Sequence, residues 1–268
     1  MTSLRETIAV FESIWPLELA DEWDAPGLVS GNPEASVSKV LLAVDVTSEV
    51  IKEAIEARCD LVLAHHPYLL RGVKTIAETT TKGHVLAAAI RGSIAIYGAH
   101  TNADVVENGV SDVLAKQLGL TQIKPLVPTQ SATIGHGRTG KFASPITLGD
   151  LAVALGRLLP ATAGGIKVAG DFGNRISTVA LCGGAGDSFL NDAQHAGADV
   201  YITSDLRHHP AQDSRETAPN MALIDISHWA AESLWLEVAA AQLAERLPQM
   251  EFVVSQQRTD PWDFVVTQ

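Results

Sequence analysis

The chain has 268 residues, 46% of them hydrophobic and 19% charged, a globular composition long enough for one large domain or two ordinary ones. That excludes a disordered tail, a collagen-like repeat and a disulfide scaffold. With 19 Lys+Arg against 31 Asp+Glu the formal charge is −12, a field that repels nucleic-acid backbones and anionic membrane surfaces.

Cys59 and Cys182 are too few and too far apart for a metal knuckle or a redox pair, and read as buried free thiols. Charged residues interrupt every long apolar stretch, and the first residues hold no signal-peptide core. A soluble, reduced, cytoplasmic protein without a membrane span is expected.

Ser3 and Glu6 form a capping-box pattern ahead of Ile8, Phe11 and Ile14 at helical spacing. A buried strand over 40–46 follows, then a helix capped by Thr47 or Ser48, then a strand over 60–64 that stops at His65, His66 and Pro67. A helix near 82–91, a strand over 93–99 and a helix near 107–118, closed by Gly119, complete the first half. The stretch 125–147 holds Pro125, Pro128, Gly135, Gly137, Gly140 and Pro145 with few apolar runs, so a boundary is expected there, dividing halves 1–126 and 127–268 with no inserted domain. Alternation then resumes: a helix over 147–158, strands near 165–169 and 176–182, a helix near 188–196, strands over 199–203 and 221–226, and a long helix over 229–246. Such alternation predicts a layered α/β fold.

The halves resemble each other. Each runs strand–helix–strand–HHP, at 65–67 and 208–210. Each later runs strand–His–three residues–carboxylate, as His100 with Asp104 and His228 with Glu232. Two matches in the same order suggest internal duplication.

Six of the nine histidines lie in these motifs. Imidazole and carboxylate are ordinary ligands of zinc, manganese and ferrous iron, and without thiolates the set is no zinc finger. His65 and His66 follow a strand end, where α/β folds bind ligands, and can converge on a site for two ions. His228 and Glu232 share a helix face, and a Glu can bridge two ions. Asp104 suits a terminal ligand, while His100 suits either a ligand or an orienting group. His208 and His209, next to Arg207, suit substrate contact better than ligation. Asp45 is a candidate helix cap or orienting partner. The run LCGGAGDS (181–188) reads as a tight strand–helix turn or a weak anion loop, lacking the Lys-Ser/Thr of a P-loop.

The ordered set WD (23–24), AHHP (64–67), AHTNAD (99–104), GHGRTGKF (135–142), CGGAG (182–186), DVYITSD (199–205) and SHWAAE (227–232) resembles the NIF-three-like family, whose bacterial members are often labelled GTP cyclohydrolase 1 type 2 homologs. The resemblance covers nearly the whole chain. It implies two related, intertwined α/β halves, layered helix/sheet/helix, with a dinuclear metal centre between them, in a toroidal homohexamer. It implies His65, His66, Asp104, His228 and Glu232 as metal ligands, with Glu232 as bridge, and His100 and His209 as pocket residues. WDAPG and ITSD depart from the family's WDN-x-G and ITGD. Two divalent ions, whether zinc, iron or manganese, would activate a bridging water on a nucleotide-like substrate. The competing reading is a metal-delivery or interaction hexamer without turnover.

Overall fold

The computed structural model describes residues 2–267. In chain order the elements are β1 (Thr2–Ser3), α1 (Leu4–Ile14), β2 (Gly27–Ser30), β3 (Ser36–Val37), β4 (Lys39–Ala43), α2 (Ser48–Glu56), β5 (Leu61–Ala64), α3 (Thr81–Arg91) and β6 (Ala95–Gly98). There follow α4 (Thr101–Asp104), α5 (Val110–Gln117), β7 (Thr121–Ser131), β8 (Ile134–Thr147), α6 (Leu148–Leu158), β9 (Lys167–Ala169) and β10 (Arg175–Ala185). The last are α7 (Leu190–His195), β11 (Val200–Ser204), α8 (His208–Thr217), β12 (Ala222–Ile226), α9 (His228–Arg246) and β13 (Glu251–Val254). Two compact units result: residues 1–103 with 236–259, and residues 104–235 with 260–268.

The first unit is built on a five-stranded sheet, β13-β4-β5-β6-β2, in which only β2 runs antiparallel. Its strands are apolar on both faces, as buried parallel strands must be. Leu41, Val62 and Ile96 face Val50, Ile51 and Ala54 of α2 and Val85, Leu86 and Ala89 of α3. The next residue along β6, Tyr97, points the other way and meets Phe11 of α1 with ring centroids 5.4 Å apart. Helix α1 starts on the expected capping box: Ser3 accepts from the Glu6 amide while Glu6 accepts from the Ser3 amide. Thr47, rather than Ser48 or Asp45, caps α2.

The second unit is built on a six-stranded sheet, β7-β8-β10-β11-β12-β9. Leu148, Leu151 and Leu155 of α6, Leu114 of α5 and Ala230 of α9 pack with Val179, Val200 and Ile224 on one face. Leu190 and Ala193 of α7 pack with Ala180, Tyr201 and Leu223 on the other. Both units carry three parallel strands (β4-β5-β6 and β10-β11-β12) with an antiparallel edge strand (β2, β9) that precedes them in the chain. In both, a Ser- or Thr-capped helix, α1 or α6, comes before that edge strand.

Two departures from the sequence expectation stand out. The stretch 125–147 is ordered sheet, the antiparallel pair β7–β8, so the expected break at 126/127 falls inside a strand. Pro125 and Pro128 are tolerated because β7 is the sheet edge, where a missing donor breaks no interior ladder, and Pro145 falls at the register shift where β8 pairs with β10. Its glycines serve crowding: a Cβ on Gly137, whose φ is +57°, would stand 2.7 Å from the Leu181 carbonyl. The units divide instead at 103/104 and at 235/236, inside α9, whose later turns and β13 complete the first unit. Both cysteines are buried and free. Among the described residues no helix is long and apolar enough to cross a membrane.

Candidate metal centre

In the first unit the β5 end sets the site. The ladder continues past Ala64, with the His65 amide donating to Ala43 and the His66 amide to Val44, each at 2.9 Å, so both histidines leave the sheet on a fixed backbone. His65 is fully buried. Its Nδ1 donates to the Ala99 carbonyl at 2.9 Å. His66 donates from Nδ1 to Asp45 at 2.7 Å, and Thr259 donates its hydroxyl to the other Asp45 oxygen at 2.5 Å. His100, two residues beyond β6, donates from Nδ1 to Asp24 at 2.8 Å. The ligand-type atoms of His65, His66 and His100 all lie within 4.8 Å of one another. Carbonyl and carboxylate oxygens only accept, so each Nδ1 holds a proton, and Nε2 is the ring atom through which a cation would be bound.

Asp24 is the firmest of these orienting groups. Its side chain is fully buried and also accepts from the Thr101 amide and hydroxyl. Burial pushes its carboxyl up, but the bonds from His100 and Thr101 outweigh that and bring it to about 2. It is an anion at any working pH and holds the His100 tautomer. Asp45 acts likewise on His66. Asp45→Ala is expected to weaken zinc binding about 10- to 100-fold with the fold intact, measured by competition with a chromophoric chelator; unchanged affinity would remove Asp45 from the site.

In the second unit His228 opens α9 and Glu232 stands one turn on, nearly buried. His228 Nδ1 faces Asp205 at 2.7 Å and its Nε2 faces Glu232 Oε1 at 2.8 Å. Both ring nitrogens of His228 thus face carboxylates, and a cation bound at Nε2 would take the place of a proton there. The Asp205 carboxyl lies below its ordinary range because of the His228 hydrogen bond, which outweighs burial. Gly184 makes room for Glu232: at its φ of +77°, a Cβ would come within 2.7 Å of Glu232 Oε1. Asp104 belongs to this unit. Burial, then Asp104, and more weakly Glu232, push the Cys182 thiol up to about 12, so this thiol stays protonated and inert beside two carboxylates.

The structure thus gathers His65, His66 and His100 in one unit, and His228 and Glu232 in the other, the unit that also holds Asp104. It does not do the same for His208 and His209. These open α8, exposed, with their rings against each other, so the second HHP is a helix start where the first is a strand exit. Arg207 pairs with Asp187. The run 181–188 carries the end of β10, with a register shift against β11, and passes through Gly186 into a 3-10 turn (Asp187–Phe189) that leads into α7, as the strand–helix turn reading expects. The orienting carboxylates are what the sequence does not single out: Asp24, Asp45 and Asp205 are far along the chain from His100, His66 and His228, and nothing local says which ring each will reach.

The family profile described as Duf34/NIF3 (NGG1p interacting factor 3) matches residues 2–261. A Streptomyces coelicolor protein named GTP cyclohydrolase 1 type 2 homolog is 44% identical over 269 residues, covering 98% of this chain and 94% of that one. A Clostridium perfringens protein of the same name is 35% identical, covering 98% and 99%. Among solved structures, a Bacillus cereus protein related to NIF3 superposes with a TM-score of 0.92 at 26% identity, covering 98% of this chain and 99% of its own. The fold, the ordered His and carboxylate motifs and these matches agree, and the chain belongs to the Duf34/NIF3 family.

Proposed function

We propose that the protein is a metal-dependent hydrolase whose His65, His66, Asp104, His228 and Glu232 hold two divalent ions, zinc, iron or manganese, with Glu232 as bridge. The observation that carries this is the common orientation of four histidines. His65, His66, His100 and His228 each place Nδ1 on an oxygen acceptor, a carboxylate for three of them. That is how proteins fix imidazoles for ligation through Nε2. The donor set fits hard and borderline divalent cations, since it contains imidazole and carboxylate and its nearby thiol is held protonated.

When bound, two such ions supply Lewis acidity to a substrate oxygen and lower the pKa of a water towards neutrality. The chain does the rest. Asp45, Asp24 and Asp205 hold the rings in register. His100, in edge-to-face contact with Trp23, is placed to pass a proton at Nε2. The shared name of the curated relatives points to a purine nucleotide as substrate. A toroidal homohexamer in the cytoplasm is part of the same reading.

The test is elemental analysis of protein purified without chelator, followed by a hydrolysis screen that begins with GTP. Close to two ions per chain, with turnover lost in Glu232→Gln while metal is retained, is the expected result. Two readily exchanged ions and no turnover on any nucleotide or phosphoester would favour metal delivery instead. No metal, and none taken up on reconstitution, would end both readings. Light scattering on the same sample checks the hexamer.

A further inference from the structure

Trp23 is a large apolar side chain that the core does not use. It is 62% exposed, whereas Trp15 and Trp235 are buried to 1% and 0%. It lies beside the histidine cluster of the first unit: its ring stands 5.7 Å from that of His100, at 82°. His100 in turn packs against His65 and His66, at 5.3 and 5.4 Å.

The backbone under Trp23 is rigid. The Asp24 amide donates to the Asp21 carbonyl at 3.0 Å, and the Asp21 amide donates to the Thr101 hydroxyl at 3.0 Å. The Asp24 side chain, one residue on, is locked on His100 and Thr101. An indole held this way keeps most of its surface in water at a standing hydrophobic cost. It loses little entropy when a ligand covers it, which is the property of a preorganised contact residue.

We propose that Trp23 is a substrate-positioning residue that stacks a planar heteroaromatic ring, of purine type, at the rim of the His65–His66–His100 cluster. This rests on the reading of that cluster as part of a small-molecule metal centre, and it names the side chain that holds the substrate's ring. A flat π-face accepts any planar ring, so selectivity between bases is left to other groups, but a ligand without a ring gains nothing from it. The chain's −12 charge works against phosphate binding away from the ions, so the ring contact is best read with uncharged probes.

The experiment is equilibrium dialysis of the full-length, metal-loaded protein with guanosine and, separately, ribose, comparing wild type, Trp23→Ala and Trp23→Phe. Metal content and thermal midpoint are recorded for each. Guanosine is expected to bind wild type better than ribose, to weaken about tenfold in Trp23→Ala and to recover in Trp23→Phe, with metal content and midpoint unchanged. Equal guanosine binding by wild type and Trp23→Ala would overturn the proposal. So would guanosine binding no tighter than ribose, including no binding of either. A wild type that takes up no metal sinks the metal-centre reading instead, and the guanosine comparison on that protein still decides Trp23.

Discussion

Asp112→Ala is expected to lower the unfolding free energy by about 3–5 kcal/mol, because it strands a buried guanidinium. Arg138 is 2% exposed, and its Nε donates to Asp112 at 3.0 Å. Its remaining donors serve four carbonyls, those of Gly135 and Gly137 at 2.7 Å and of Val105 and Val106 at 3.2 and 2.6 Å. Replacing a buried ion pair by apolar residues is often harmless, but not here. Arg138→Met would take a donor from each of these carbonyls, those of Val105 and Val106 keeping the Gly135 and Gly109 amides, and is expected to cost about 1–3 kcal/mol for each carbonyl left without a partner. The carbonyls of Val105 and Val106 directly follow Asp104, so the variants that still fold are expected to bind metal more weakly as well. Denaturant unfolding and metal titration measure the two effects; a loss below about 1 kcal/mol would show that Arg138 is not the anchor.

The same pair predicts an acid limb. Burial pushes the Asp112 carboxyl up, but Lys116, the Asn108 amide and Arg138 together hold it below its ordinary 3.8. A depressed carboxyl contributes stability fully above the unfolded value and loses it as pH falls through the lower folded value. Wild type is therefore expected to lose this contribution below about pH 4, a component absent from Asp112→Asn in a pH series of unfolding curves.

Glu232→Ala is expected to abolish the stabilisation that added metal gives. An ion held by the native state alone contributes about 2.7 kcal/mol at a free concentration one hundred times its Kd. Calorimetry with excess zinc, or with chelator, should show a clear rise in the wild-type midpoint and little or none in the variant. If Glu232 bridges two ions as proposed, its loss affects both, and the effect is expected to exceed that of His66→Ala. An equal zinc response in wild type and Glu232→Ala would remove Glu232 from the centre. The carboxylate is buried, 3% exposed, and Gly184, at positive φ, leaves room for it.

Much of this protein is written locally. Capping at Ser3 and Thr47, apolar strands ending at AHHP and the His–Glu spacing that starts α9 depend on backbone and side-chain geometry over a few residues, so they are readable without the fold. The strand–helix alternation is legible for the same reason, and with it the choice of His65, His66, Asp104, His228 and Glu232 as candidates. The fold alone decided the rest. His66 meets Asp45, His100 meets Asp24 and His228 meets Asp205 across separations of 21, 76 and 23 residues, which no periodicity encodes. Sheet pairing turned the proline- and glycine-rich 125–147 stretch into an edge hairpin, because an edge strand tolerates what an interior one does not. The two HHP motifs parted for a similar reason. One is held by β5 ladder bonds against β4, while the other begins a helix in solvent, so identical tripeptides acquired different surroundings.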